Sequence, residues 1–139
     1  DKLIKNFPNI KYNILGHFQE EPKWNYDYYY ELSKCKIALN LSRGKPLKYT
    51  SSNRIASLIG NGIYTFIDKK TKFNDFFNES EVGFYNNIND LGNKIEYLLS
   101  NPKKLYKYAK NGRDKYFKLF NNKNITNMMI NKILWPLNF

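Results

Sequence analysis

The chain of 139 residues holds one cysteine, Cys35, and one histidine, His17. A lone cysteine allows no internal disulfide. One cysteine with one histidine cannot build a Cys/His zinc site, so no metal centre is expected. Cys35 stands in "SKCKIALNL", beside an apolar run, and reads as a small buried hydrophobe. No apolar run is long enough to span a bilayer, and no signal peptide opens the chain. Arginine is scarce: of the 23 basic residues 20 are Lys, and the arginines are Arg43, Arg54 and Arg113. Acids are missing altogether between Glu31 and Asp68, a window that holds Lys34, Lys36, Arg43, Lys45, Lys48 and Arg54. An anionic ligand would meet no carboxylate from that stretch.

What is present fits one folded domain over residues 1–139, with 42% hydrophobic residues available for a core. The first residue is Asp1, so the chain reads as a piece of a longer protein, and a cytoplasmic location is expected. The net charge of +11 raises the question of nucleic acid. Residues 101–139 carry most of it, with nine basic groups against Asp114 alone. Direct base readers rely on arginine, and the lysines here read as solvated surface in a chain also rich in Asn, Ile and Tyr. A basic nucleic-acid-binding module is therefore kept only as an alternative.

Along the chain, strand and helix patterns alternate. "KYNILGHF" (11–18) has a short apolar centre ending at Gly16 and predicts a strand over 11–16 and a turn. "NYDYYYELSKC" (25–35) places Tyr28, Leu32 and Cys35 at helical spacing. Strands are expected at 36–41, at 63–67 and, briefly, at 81–85. Gly44 and Pro46 mark "RGKPLKY" as a loop. A helix capped by Thr50, Ser51 or Ser52 should bury Ile55, Leu58 and Ile59 and end at Asn61-Gly62. "TKFNDFFN" (71–78) reads as a short helix or turn. Residues 87–100 form an amphipathic helix on Ile88, Leu91, Ile95, Leu98 and Leu99. Asn101-Pro102 opens the next, with Leu105, Tyr108, Ala109, Phe117 and Phe120 as its inner stripe. A last helix covers 124–135 and stops at Pro136. This order predicts an α/β fold, a Rossmann-like parallel sheet flanked by helices. Such sheets bind ligands at the carboxyl ends of their strands. The loops concerned hold Gly16-His17, Ser42-Arg43-Gly44 and Asp68-Lys69.

"YTSSNRIASLIGNG" (49–62) is the stretch with the clearest chemistry. A helix N-terminus presents unpaired N–H groups and about half a positive charge, and so attracts phosphate. Most helices offset this with an acid in the first turn. This one instead carries Ser51, Ser52 and Asn53, whose side chains can donate, and Arg54, which can grip phosphate with two parallel bonds. A plain capped helix with Arg54 on the surface is the competing reading.

"LSKCKIALNLSR…YTSSNRIASLIGNGIYTFID…DFF…EVGFYNNINDLGNKIEYLLSNPKKLYKYAKNGRDKYF" resembles the C-terminal half of a GT-B fold glycosyltransferase of the group 1, spore-maturation-type branch. The resemblance covers about residues 25–135 and lies in the order and spacing of its motifs. It implies a donor-binding domain that holds a nucleotide-sugar as substrate, with no metal and no other cofactor. Arg54, Asn53, Ser52, Ser51, Arg43, Ser57, His17 and Gly16 are the candidate donor-binding residues. The acceptor and the catalytic base would come from the missing N-terminal half, so catalytic residues are unassigned and the isolated chain is expected to be inactive. The resemblance also implies that the last helix, 122–135, packs on that half, which suits the stripe Met128, Met129, Ile133 and Trp135. One departure stands out. Related enzymes often carry Glu three residues after the arginine, where it binds the donor ribose or sugar, and this chain has Ser57. A non-catalytic nucleotide- or anion-binding domain of the same fold is the alternative that Ser57 favours.

Overall fold

The computed structural model describes residues 2–15, 21–41, 44–50 and 53–134. Three strands, β1 (Ile37–Asn40), β2 (Tyr64–Asp68) and β3 (Gly83–Tyr85), form a parallel sheet in the order β1-β2-β3. Leu39 pairs with Phe66, and Phe66 with Gly83, so β2 is the central strand. The helices are α1 (Lys2–Asn6), α2 (Asn25–Ser33), α3 (Asn53–Gly60), α4 (Ile88–Leu99), α5 (Pro102–Leu119) and α6 (Asn122–Leu134). Two 3-10 turns, Lys69–Thr71 and Phe73–Asp75, follow β2.

The pleat of β2 divides the core. Tyr64 and Phe66 point to one face and pack with Phe7, Ile10, Leu91, Ile95, Leu98 and Leu105. On the other face, Ile67 joins Ile55, Ile59, Phe73, Phe77, Val82 and Phe84. Leu32 and Leu58 close a smaller cluster over Ile63 at the entry to β2. Helices thus cover both faces, which is why β2 is buried continuously from Tyr64 to Ile67 rather than at alternate residues. Among the described residues no buried side-chain polar atom lacks a hydrogen-bond partner. The Tyr64 hydroxyl, for example, donates to the Glu79 carbonyl at 2.6 Å, and burial pushes its ionisation far above the ordinary tyrosine range.

α3 ends as its sequence demands. Gly62 takes the left-handed conformation at φ 74°, the Gly62 amide donates to the Ile59 carbonyl and the Ile63 amide to that of Leu58. This is a Schellman cap, and its accompanying apolar contact pairs Leu58 with Ile63. α5 then runs past the amino ends of the strands. Tyr108 meets Tyr64, Gly112 lies against the Glu81 carbonyl, and Arg113 Nε donates to the Gly60 carbonyl at 3.2 Å. A Cβ at Gly112 would overlap that Glu81 oxygen, so the close approach of α5 requires glycine there. With α5 across one end of the sheet, the carboxyl ends of the strands form the opposite, open rim.

Several sequence expectations need correction. Residues 11–15 are not a strand; the third strand of the sheet is β3. Asn13 does reach Glu31 and Cys35, which lead into β1, but no ladder pairs this segment. Its apolar centre is too short to identify a strand without a pairing partner. Phe117 and Phe120 lie largely outside the inner stripe of α5, where Tyr116 and Leu119 pack instead. Ile88 and Leu99 sit at the ends of α4 and remain partly exposed.

Candidate functional site

The open rim is built by the loop from β1 to α3, the segment after β2 and the residues after β3. Arg54 is the second residue of α3, and its Nη2 donates to the Leu41 carbonyl at 2.6 Å. Leu41 directly follows β1, so this bond holds the guanidinium over the carboxyl end of that strand. A guanidinium carries five N–H donors in a planar fork. Arg54 also approaches α2. Burial pushes the Tyr28 hydroxyl up from its ordinary pKa, Tyr29 adds to that, and the positive charge of Arg54 works against both.

Asn53 opens α3 and is exposed, and the first turn of the helix holds no acid. Ser57 is three residues beyond Arg54 and therefore on the same face of the helix, one turn deeper. It is half-buried, and its carbonyl accepts a bond from Asn61 Nδ2 at 2.6 Å. Asn53 and Arg54 thus stand at the start of α3, with Ser57 one turn further along the helix. The other candidates, Gly16, His17, Arg43, Ser51 and Ser52, lie outside the described residues.

The acid-free window of the sequence is not acid-free in space. The Asp75 carboxylate accepts a hydrogen bond from the Tyr49 hydroxyl at 2.7 Å, which brings one acid to the β1–α3 loop. Asp68 ends β2 on the same rim, where its carboxylate accepts the Lys70 amide at 2.8 Å and caps the first 3-10 turn. Lys69, Lys70 and Lys72 follow it in the chain. Tyr85 pairs with Asp68 at the end of β3, and burial, with the Asp68 charge second, raises its pKa. Among the described residues the ion pairs lie elsewhere, on Glu31, Glu79, Asp90 and Asp114. No group of three or more His, Cys, Asp or Glu side chains gathers at one point among the described residues. None of the described helices is long and apolar enough to cross a membrane.

Sequence reasoning missed Tyr49 and Asp75. Neither has a local signal: the contact joins positions far apart in the chain, and nothing in "PLKYT" marks a turn that places tyrosine at positive φ.

Comparison with known proteins adds one positive finding. A family model described as glycosyl transferase-like matches residues 1–131. No curated protein and no solved structure matches the chain. On a match that spans nearly its whole length, the chain belongs to the glycosyl transferase-like family, and glycosyl transfer is the general role that this membership supports.

Proposed function

We propose that the chain is the donor-binding domain of a glycosyltransferase, and that the start of α3 holds the diphosphate of a nucleotide-sugar. The observation that carries this reading is Arg54, tied at 2.6 Å to the carbonyl that leaves β1, at the acid-free N-terminus of a helix on the carboxyl rim of a parallel sheet. That rim is where open α/β sheets receive ligands. Helix N–H groups supply part of the attraction, roughly 0.3–1 kcal/mol for each exposed dipole contact. Charge-assisted bonds from Arg54 add about 1.5–3 kcal/mol each. Asn53, Ser51, Ser52 and Arg43 would complete the phosphate contacts. Ser57 stands where a carboxylate would meet the ribose or sugar, and Gly16 and His17 belong to the loop proposed to face the donor.

The acceptor and the catalytic base would come from a second, N-terminal half. α6 supports this division. None of its described side chains is buried, and Met128, Met129 and Ile133 leave a helical apolar stripe uncovered. A helix of that kind suits docking on a second domain. Ser57 favours a second reading, a non-catalytic nucleotide-binding domain of the same fold, because a hydroxyl cannot replace a carboxylate that binds two sugar hydroxyls.

Calorimetric titration of the chain with nucleoside diphosphates, nucleoside monophosphates and free nucleosides tests the proposal. The diphosphates should bind and the nucleosides should not, whatever the base preferred. Equal affinity for diphosphates and nucleosides would remove the phosphate site from the account.

A further inference from the structure

Tyr49 has a conformation that a large side chain rarely keeps. Its φ is 58°, in the left-handed region. It occupies the third position of a turn closed by the Thr50 amide on the Leu47 carbonyl, where glycine or asparagine is usual. Strain of this kind persists only where the surroundings over-determine the residue. Here they do. The Tyr49 amide donates to the Thr71 carbonyl at 2.8 Å, and its hydroxyl donates to Asp75 at 2.7 Å. Its ring meets Phe76 edge-on with centroids 5.3 Å apart, and Lys48 Nζ lies 4.7 Å above the ring.

These contacts are not core packing, because Tyr49 remains 45% exposed. They join two loops of the open rim. Thr71, Asp75 and Phe76 belong to the segment after β2, and Tyr49 stands four residues before α3. That segment is itself firmly based: the buried Thr71 hydroxyl donates to the Asp68 carbonyl at 2.7 Å, and Phe73 packs with Ile55 and Ile59 of α3. The loop that leads into α3 is therefore anchored on its far side to the neighbouring strand's loop, as Arg54 anchors it to the end of β1.

We propose that Tyr49 is a positioning residue for the donor site: by fastening the β1–α3 loop to the segment after β2, it fixes where the chain enters α3 and so where Arg54 and the helix N–H groups meet the diphosphate. This rests on the donor-site reading above. The clamp acts through preorganisation. A loop already held in its bound shape pays little ordering entropy when ligand arrives, and a loose one pays it in affinity. Asp75 contributes by holding the tyrosine hydroxyl.

Tyr49→Phe, Asp75→Asn, the double variant and Tyr49→Gly separate this from a purely structural role. Each would be titrated with a nucleoside diphosphate well below its melting temperature, and each would be melted. Tyr49→Phe should bind about three- to tenfold more weakly, because the loop it leaves looser must be ordered when the ligand arrives. The double variant should be no weaker than the worse single variant, because both remove the same contact. Tyr49→Gly is the sharpest case. It relieves the φ strain, so its melting temperature should hold better than its affinity, which should fall at least as far as that of Tyr49→Phe. Wild-type binding with unchanged affinity in Tyr49→Phe and Tyr49→Gly would overturn this inference alone. No binding by wild type would overturn the donor-site reading and this inference with it.

Discussion

Phe66→Ala should lower stability by about 3–5 kcal/mol, the range for removing a buried phenylalanine ring. Phe66 sits at the centre of the central strand, is 1% exposed and packs edge-on against Tyr64 at 5.3 Å. Its ring also covers Gly83 on the neighbouring strand, where a Cβ would overlap it. Gly83 therefore offers no side chain to fill the space that alanine would leave. Such a loss is a large share of the roughly 5–15 kcal/mol typical of a domain, and the melting temperature should fall by roughly 10–20 °C. Phe117→Ala is the control. That ring is half exposed, and its removal should cost about 1 kcal/mol or less. Thermal and urea melts of the two variants decide the matter. Equal losses would mean that the sheet is not packed around β2 as described.

Arg54→Ala should weaken nucleoside-diphosphate binding about ten- to a hundredfold, the equivalent of roughly 1.5–3 kcal/mol. The side chain is exposed, and losing its bond to the Leu41 carbonyl should lower stability by about 1 kcal/mol. Binding should thus suffer more than folding. Arg54→Lys should recover part of the affinity, since an ammonium supplies the charge but not the fork. Titrations beside melts separate the outcomes. A variant that melts many degrees lower yet binds as wild type would make Arg54 a structural tie between α3 and β1 and nothing more.

These two residues show how much the sequence discloses. Phe66 lies in "IYTFID", a largely apolar, β-branched and aromatic run that follows a glycine and ends at a charged residue, and such a run announces a buried strand by itself. The helix before it was equally legible, because Ile55, Leu58 and Ile59 repeat at the helical period and Asn61-Gly62 supplies the stop. Arg54 could be placed at the helix start from its neighbours. Its bond to Leu41 could not, because the intervening loop hides which carbonyl comes within reach. Long-range choices were illegible for the same reason. The brief strand expected at 81–85 forms as Gly83–Tyr85, but the absence of a pairing partner for 11–15 belongs to the sheet and not to that segment. Phe7 fits against Gly92, whose missing side chain gives no apolar signal to a periodicity reading, although a Cβ there would strike the Phe7 ring. At Tyr49 the sequence marks only a loop, since positive φ at an aromatic residue arises from contacts with Thr71 and Asp75 that lie more than twenty residues on.

The central claim is that the start of α3 receives the diphosphate of the donor. Amide chemical-shift mapping of the isotopically labelled chain during titration with a nucleoside diphosphate tests it most directly, since it reports where the ligand sits as well as whether it binds. Saturable shifts are expected centred on Asn53 and Arg54, spreading to Leu41 and to the Asp68–Lys70 end of β2, with α5 and α6 unmoved. Shifts spread over the lysines of α5 and lost on adding salt would contradict it, and would mark the binding as unspecific attraction to the net positive charge.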